Sequence, residues 1–132
     1  MNLNVLQVGI FNRLKSQITT IPIYDFVPQS VAAPYVVIGD DTAIDFDTKT
    51  DKGVECTLTI HAWDYAKNGR KSVKDILSSV YTALHNQENS VTLTQYNLLM
   101  LRVEFQESFQ ENINNSDRFY HGVIRLRAIL ME

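Results

Sequence analysis

The amino-acid sequence predicts an α+β fold, a mainly antiparallel sheet of about four strands with two amphipathic helices packed on one face. Apolar residues recur at spacings of three and four over 3–18 and again over 69–86, the mark of helices with one buried stripe. Apolar and polar residues alternate over 54–63, 99–106 and 122–130, the mark of strands with one buried face. Helices with one apolar stripe and a sheet with one apolar face bury each other in two layers.

In the first helix the stripe is Leu3, Leu6, Ile10, Leu14 and Ile18, with Gln7, Asn12, Arg13 and Gln17 largely opposite. Asn2 or Asn4 is placed to cap it, and Pro22 requires that it stop earlier. Residues 22–34 hold all three prolines of the chain, so this segment runs extended, with at most a short edge strand near Ile23 to Phe26. Tyr35-Val-Val-Ile38 reads as a buried strand that Gly39 ends. From Gly39 to Gly53 five aspartates and no apolar period predict a long polar loop or a mobile hairpin arm. In the next strand Val54, Cys56, Leu58, Ile60 and Ala62 form the core face, and Trp63 falls on the outward face, where something must cover it. Asn68-Gly69 opens the second helix, whose stripe is Val73, Ile76, Leu77, Val80, Tyr81 and Leu84. The last two strands place Leu99, Leu101, Val103 and Phe105 on one face, and Gly122, Ile124, Leu126, Ala128 and Leu130 on another, around a polar connection at 110–117. A one-residue slip would bury Arg125 and Arg127, so the register is strongly specified; one that sets Glu104 opposite Arg125 satisfies both charges.

Composition narrows the function. The 132 residues suit a single domain spanning 1–132, 45% hydrophobic and 20% charged, which argues against disorder. The formal net charge of −3 opposes general nucleic-acid binding, whose only support is Lys67, Arg70, Lys71 and Lys74 at a solvated helix start. One cysteine, Cys56, allows no intrachain disulfide and shares an inward face, where a thiol is inert. No apolar run is long enough to span a bilayer, and the first residues carry no signal-peptide pattern.

The chemistry-bearing residues do not converge. His61, His85 and His121 lack zinc spacing, so no metal site or cofactor is expected. Asp45, Asp47, Lys49 and Asp51 alternate as in a calcium loop, but a lysine stands at a ligand position and the glycine and closing glutamate are missing. A weak divalent-ion site there stays open beside the solvated-loop reading. The glycines at 9, 39, 53, 69 and 122 form no phosphate loop. Asp64, His61 and a serine assemble into a triad only on paper. The chain is therefore expected not to be an enzyme.

The N-terminal helix is followed by Ala33-Pro-Tyr-Val-Val-Ile-Gly39, by Ile60-His-Ala-Trp-Asp64 closing a strand, and by the helix from Arg70 to Leu84. Then comes Ser116-Asp-Arg-Phe-Tyr-His-Gly-Val-Ile-Arg-Leu-Arg-Ala128. Their order, over nearly the whole chain, resembles the tail completion, or tail-to-head joining, proteins of long-tailed (siphovirus-type) bacteriophages. The resemblance implies a structural virion protein that caps the head-proximal end of the tail tube as a hexameric ring. The implied partners are the major tail tube protein, the head completion or stopper protein of the connector, and further copies of the chain. No membrane is implied, and DNA would pass through the lumen without specific binding. The implied location is the virion at the head–tail interface, and the host cytoplasm during assembly. No catalytic residue, metal or cofactor is carried over. A ring needs contacts between unlike patches, and the acidic segment is the candidate interface: Asp40, Asp41, Asp45, Phe46, Asp47, Lys49 and Asp51. The alternative is a small host- or phage-encoded binding domain of unrelated role, which requires a concave pocket with convergent polar groups.

Overall fold

The computed structural model describes residues 3–28, 31–112 and 118–132. Asn2 and most of the polar connection, 113–117, lie outside them. In chain order the elements are α1 (Leu3–Gln17), β1 (Ile23–Tyr24), β2 (Tyr35–Asp45), β3 (Gly53–Tyr65), α2 (Gly69–Leu84), β4 (Asn97–Asn112) and β5 (Arg118–Met131), with single 3-10 turns at 66–68 and 88–90. They build one five-stranded sheet in the order β1-β2-β3-β5-β4. Among the described residues only the β1–β2 pairing is parallel. The expected α+β class holds, with the two-residue strand at 23–24 as the fifth member.

Alternation decides which face is covered. Val54, Cys56, Leu58, Ile60 and Ala62 of β3 and Ile124, Leu126, Ala128 and Leu130 of β5 are buried together with the helices. Ile124 and Leu126 are fully buried, each contributing about 1.5–3 kcal/mol of transfer free energy. α2 lies over β3, β5 and β4, while α1 packs on β1, β2 and α2. Arg13 ties the helices together, its Nε donating to the Ala83 carbonyl at 2.9 Å. The α1 stripe is turned slightly from expectation: Val5 and Gly9 are buried with Leu6, Ile10 and Leu14, whereas Leu3 is exposed. Gly9 allows this, because a Cβ there would lie 2.5 Å from Leu93.

Two expectations about strands are corrected. Gly39 does not end β2, which runs on to Asp45 past an irregularity between Ile38 and Asp41. Its far half pairs Thr42 with Thr57 and Ile44 with Glu55, so backbone ladder bonds order a stretch that has no apolar period. In β4, register shifts between Leu98 and Met100 and between Val103 and Phe105 break the alternation. Each bulge moves the side chains beyond it to the opposite face. Leu101 is fully buried, while Leu99 is 58% and Phe105 50% exposed, so these two are not core residues. The expected register is present from Met100–Ile129 to Val103–Leu126, but Phe105, not Glu104, faces Arg125. Glu104 instead accepts a hydrogen bond from Arg127 Nε at 2.8 Å.

β4 forms one rim of the sheet, and the turn after α2 closes part of it. The Asn86 N–H donates to the Leu101 carbonyl at 3.0 Å, and the Val103 N–H donates to His85 Nδ1 at 3.0 Å. Asn86 adopts a φ of 58° to make this turn.

Leu77 sits where α2 meets β5: a Cβ on Gly122 would fall 2.8 Å from its side chain. Leu77→Ala is expected to cost about 2–5 kcal/mol in chemical denaturation. Gly122→Ala should destabilise alone and do less harm in the Leu77→Ala background, where the space has been vacated; strict additivity would contradict this packing.

Candidate functional site

Of the two forms expected for the acidic segment, the structure has the hairpin and not a loop spanning 39–53: the segment is the end of β2–β3. Asp40, Asp41 and Asp45 belong to β2, and the connection proper is 46–52. Asp41 pairs with Leu58 and Asp45 with Val54, which places both on the core-bearing face of the sheet. The turn is held by its own groups. The Phe46 N–H donates to the Gly53 carbonyl at 2.9 Å, and the Thr48 N–H to the Asp51 carbonyl at 2.8 Å. Asp47 Oδ1 accepts from the Gly53 N–H at 3.0 Å, and the Asp51 N–H donates to Thr48 Oγ1 at 3.0 Å. All side chains from Ile44 to Lys52 are exposed, Ile44 and Phe46 among them. Asp47 is thus spent on the turn, and among the described residues no group of three or more His, Cys, Asp or Glu could hold a metal ion. The Glu132 N–H donates to the Lys52 carbonyl at 2.9 Å, which brings the last residue to the same end of the sheet.

The helix-free face of the sheet carries a second set of residues, which period-two reading assigned only to the outside. Trp63 pairs with His121, and His121 with Phe109, so three neighbouring strands bring aromatic rings side by side. The Trp63 and His121 rings stack at 3.8 Å and 14°, and Phe109 lies 4.9 Å away. Phe119 meets Trp63 edge-on at 6.1 Å and Tyr65 at 5.2 Å. This is the cover that Trp63 required. Farther along, Arg127 bridges Glu104 and Glu55, and both carboxylates raise its pKa, Glu104 more than Glu55. Phe105 and Phe109 escaped sequence reading because the bulge at Glu104 reverses the parity of β4. Outward Trp63, Val123 and Ile129 were the sequence signs that this face is partly apolar.

Asp64, at 2% exposure, fixes the passage from β3 to α2. Its Oδ1 accepts from the Tyr65 N–H at 2.8 Å and from Asn68 Nδ2 at 3.0 Å, while Oδ2 accepts from the Ser72 hydroxyl. His61 lies on the opposite face of the sheet, so the paper triad is split by the sheet itself. Cys56 is buried, and its thiol pKa is raised by burial and then by Asp41 and Glu55. The basic cluster at the start of α2 is occupied locally. Lys67 lies over Tyr65 at 5.4 Å, Arg70 over Tyr120 at 5.2 Å, and Lys71 pairs with Asp75 at 2.7 Å. A groove of about 370 Å³ runs between α2 and β4, bordered by Lys74, Ser78, Tyr81 and Glu107, all exposed. Among the described residues no helix is long and apolar enough to cross a membrane.

The family profile described as "Tail completion protein gp17" matches residues 10–131, from the first turns of α1 to the last residue of β5. The chain belongs to this family. It is a structural protein of the bacteriophage tail and a component of the virion, where it assembles with other tail and head proteins. A solved chain described as "Virion of native gene transfer agent (GTA) particle" shares the fold, with a TM-score of 0.77 at 19% identity over 98% of this chain and 96% of that one. No curated protein matches the sequence. The family is one of structural tail proteins rather than enzymes.

In this tail completion protein Asp64→Ala is expected to cost about 2–4 kcal/mol, because three donors lose a charged acceptor in a buried setting. Amide exchange should quicken first over 65–73, at the start of α2. A melting curve and exchange pattern equal to wild type would show that the carboxylate is not what holds this junction.

Proposed function

We propose that the chain caps the head-proximal end of the tail tube as a hexameric ring and joins the tail to the stopper protein of the head connector. The genome passes through the lumen of that ring without specific binding. The match to the tail completion family over 10–131 carries this reading. Three features of the molecule support it. The β2–β3 hairpin ends in exposed side chains that the isolated fold does not use, including Ile44 and Phe46. The helix-free face leaves Phe105 half exposed in a shallow depression shared with Val123, and exposed apolar surface of this kind supports a contact role. A net charge of −3 disfavours retention of DNA phosphates in a channel.

The assembly interface of this proposal is the hairpin end: Asp40, Asp41, Asp45, Phe46, Asp47, Lys49 and Asp51. A closed ring requires each subunit to offer two unlike patches, and a hairpin end is one such patch. Its partners are a neighbouring copy, the major tail tube protein and the stopper, met in the host cytoplasm as the tail is completed.

Replacing 46–52 with a short Gly-Ser link tests the reading while leaving the β2–β3 ladder intact. The substitution alters loop-closure entropy by about RT, so the subunit should melt within about 5 °C of wild type. A complemented phage should accumulate separate heads and tails. Normal yields of joined virions would remove Phe46, Asp47, Lys49 and Asp51 from the mechanism.

A further inference from the structure

Three titratable side chains meet on the helix-free face in an arrangement limited by its protons. His121 is 8% exposed. Its Nδ1 lies 2.8 Å from Glu111 Oε2, and its Nε2 lies 2.7 Å from His61 Nδ1. An ionised carboxylate only accepts, so His121 Nδ1 carries a proton and donates it to Glu111. A single further proton serves the contact between the rings. It sits on His61 Nδ1 and points to His121 Nε2 when both imidazoles are neutral. It sits on His121 Nε2 and points to His61 Nδ1 when His121 is the one cation. With both rings cationic the two facing nitrogens are both donors, and the contact is lost between two like charges whose centroids are 4.9 Å apart.

We propose that Glu111, His121 and His61 form an acid-sensitive latch across β4, β5 and β3, closed while one proton serves the imidazole–imidazole contact and opened by a second. The groups around it define the balance. Burial and then the neighbouring His121 lower the pKa of His61, against Asp40 on β2 and Glu111 on β4, which favour its cation. Glu107 on β4 and Arg125 on β5 are the next charges along that face. Trp63 from β3 and Phe109 from β4 flank His121. The backbone of Gly39 closes off β2, since a Cβ there would come within 2.8 Å of the His61 ring. With the folded pKa of His61 below its ordinary value of about 6.5, the closed latch gives its full stability above that pH and loses it as pH falls through the folded value. Opening unstacks Trp63 and separates the side chains of Glu111, His121 and His61, while the backbone ladder of β3, β5 and β4 stays paired.

Trp63 is the single tryptophan of the sequence and touches the central ring, so its fluorescence reads the device. On titrating the full chain from about pH 8 to about pH 4.5, we expect a reversible change in Trp63 emission centred below about 6.5. The ¹⁵N signals of both imidazoles should move with it while far-UV circular dichroism holds steady. His61→Gln keeps an amide donor and acceptor but takes up no proton, and should abolish the transition. Glu111→Gln removes the anion that favours imidazolium, and should lower the midpoint by about one unit. Flat emission and imidazole signals in the wild type would overturn the proposal, as would an emission change seen only with loss of far-UV signal. So would an unchanged profile in His61→Gln or, should that variant not fold, an unshifted midpoint in Glu111→Gln.

Discussion

The position of β5 between β3 and β4 is the constraint on which the rest of the molecule depends. It pairs along nearly its whole length on both sides, and its inward residues Ile124, Leu126, Ala128 and Leu130 form the floor under α2. Because side chains alternate with a period of two, this floor fixes every outward residue as well. Phe119, His121, Val123, Arg125 and Arg127 must then point away from the helices. The aromatic row and the Arg127 bridge therefore follow from the burial of the opposite face. Gly122 completes the arrangement by letting Leu77 settle onto the strand where any larger residue would hold α2 off.

Much of this was legible in the chain, for identifiable reasons. β3 and β5 are regular, so alternation placed their faces correctly from Val54 to Ala62 and from Gly122 to Leu130. The stripe of α2 survived intact except for Tyr81, which is 38% exposed and stacks on His85. Failure came where the backbone departs from strict period. A bulge adds one residue with no compositional mark, so Leu99 and Phe105 read as core when they are not. The far half of β2 misled in the other direction. Asp40, Asp41 and Asp45 look like loop residues, but a strand whose partner satisfies its hydrogen bonds tolerates them at the end of a sheet.

The candidate surfaces were legible to different degrees. The acidic run was visible as composition, and the structure gives it the form of a stiffened hairpin end. The His61–His121–Glu111 cluster left almost no trace, because its members lie 10 and 60 positions from His121 in the chain. Only the register of three strands brings them together. Histidines without ligand spacing still form a site when the sheet supplies the proximity.

The capped rim of β4 has a consequence for how this chain meets other chains. An open strand edge is a template on which further chains can pair, and repeated pairing leads to fibrous aggregates. At Leu101 and Val103 the outward carbonyl and amide are already taken by Asn86 and His85. The end of α2 thus works as a stopper on lateral strand growth, and the two bulges flanking this stretch make the same edge too uneven to copy. Indiscriminate sheet extension is blocked along that part of the border.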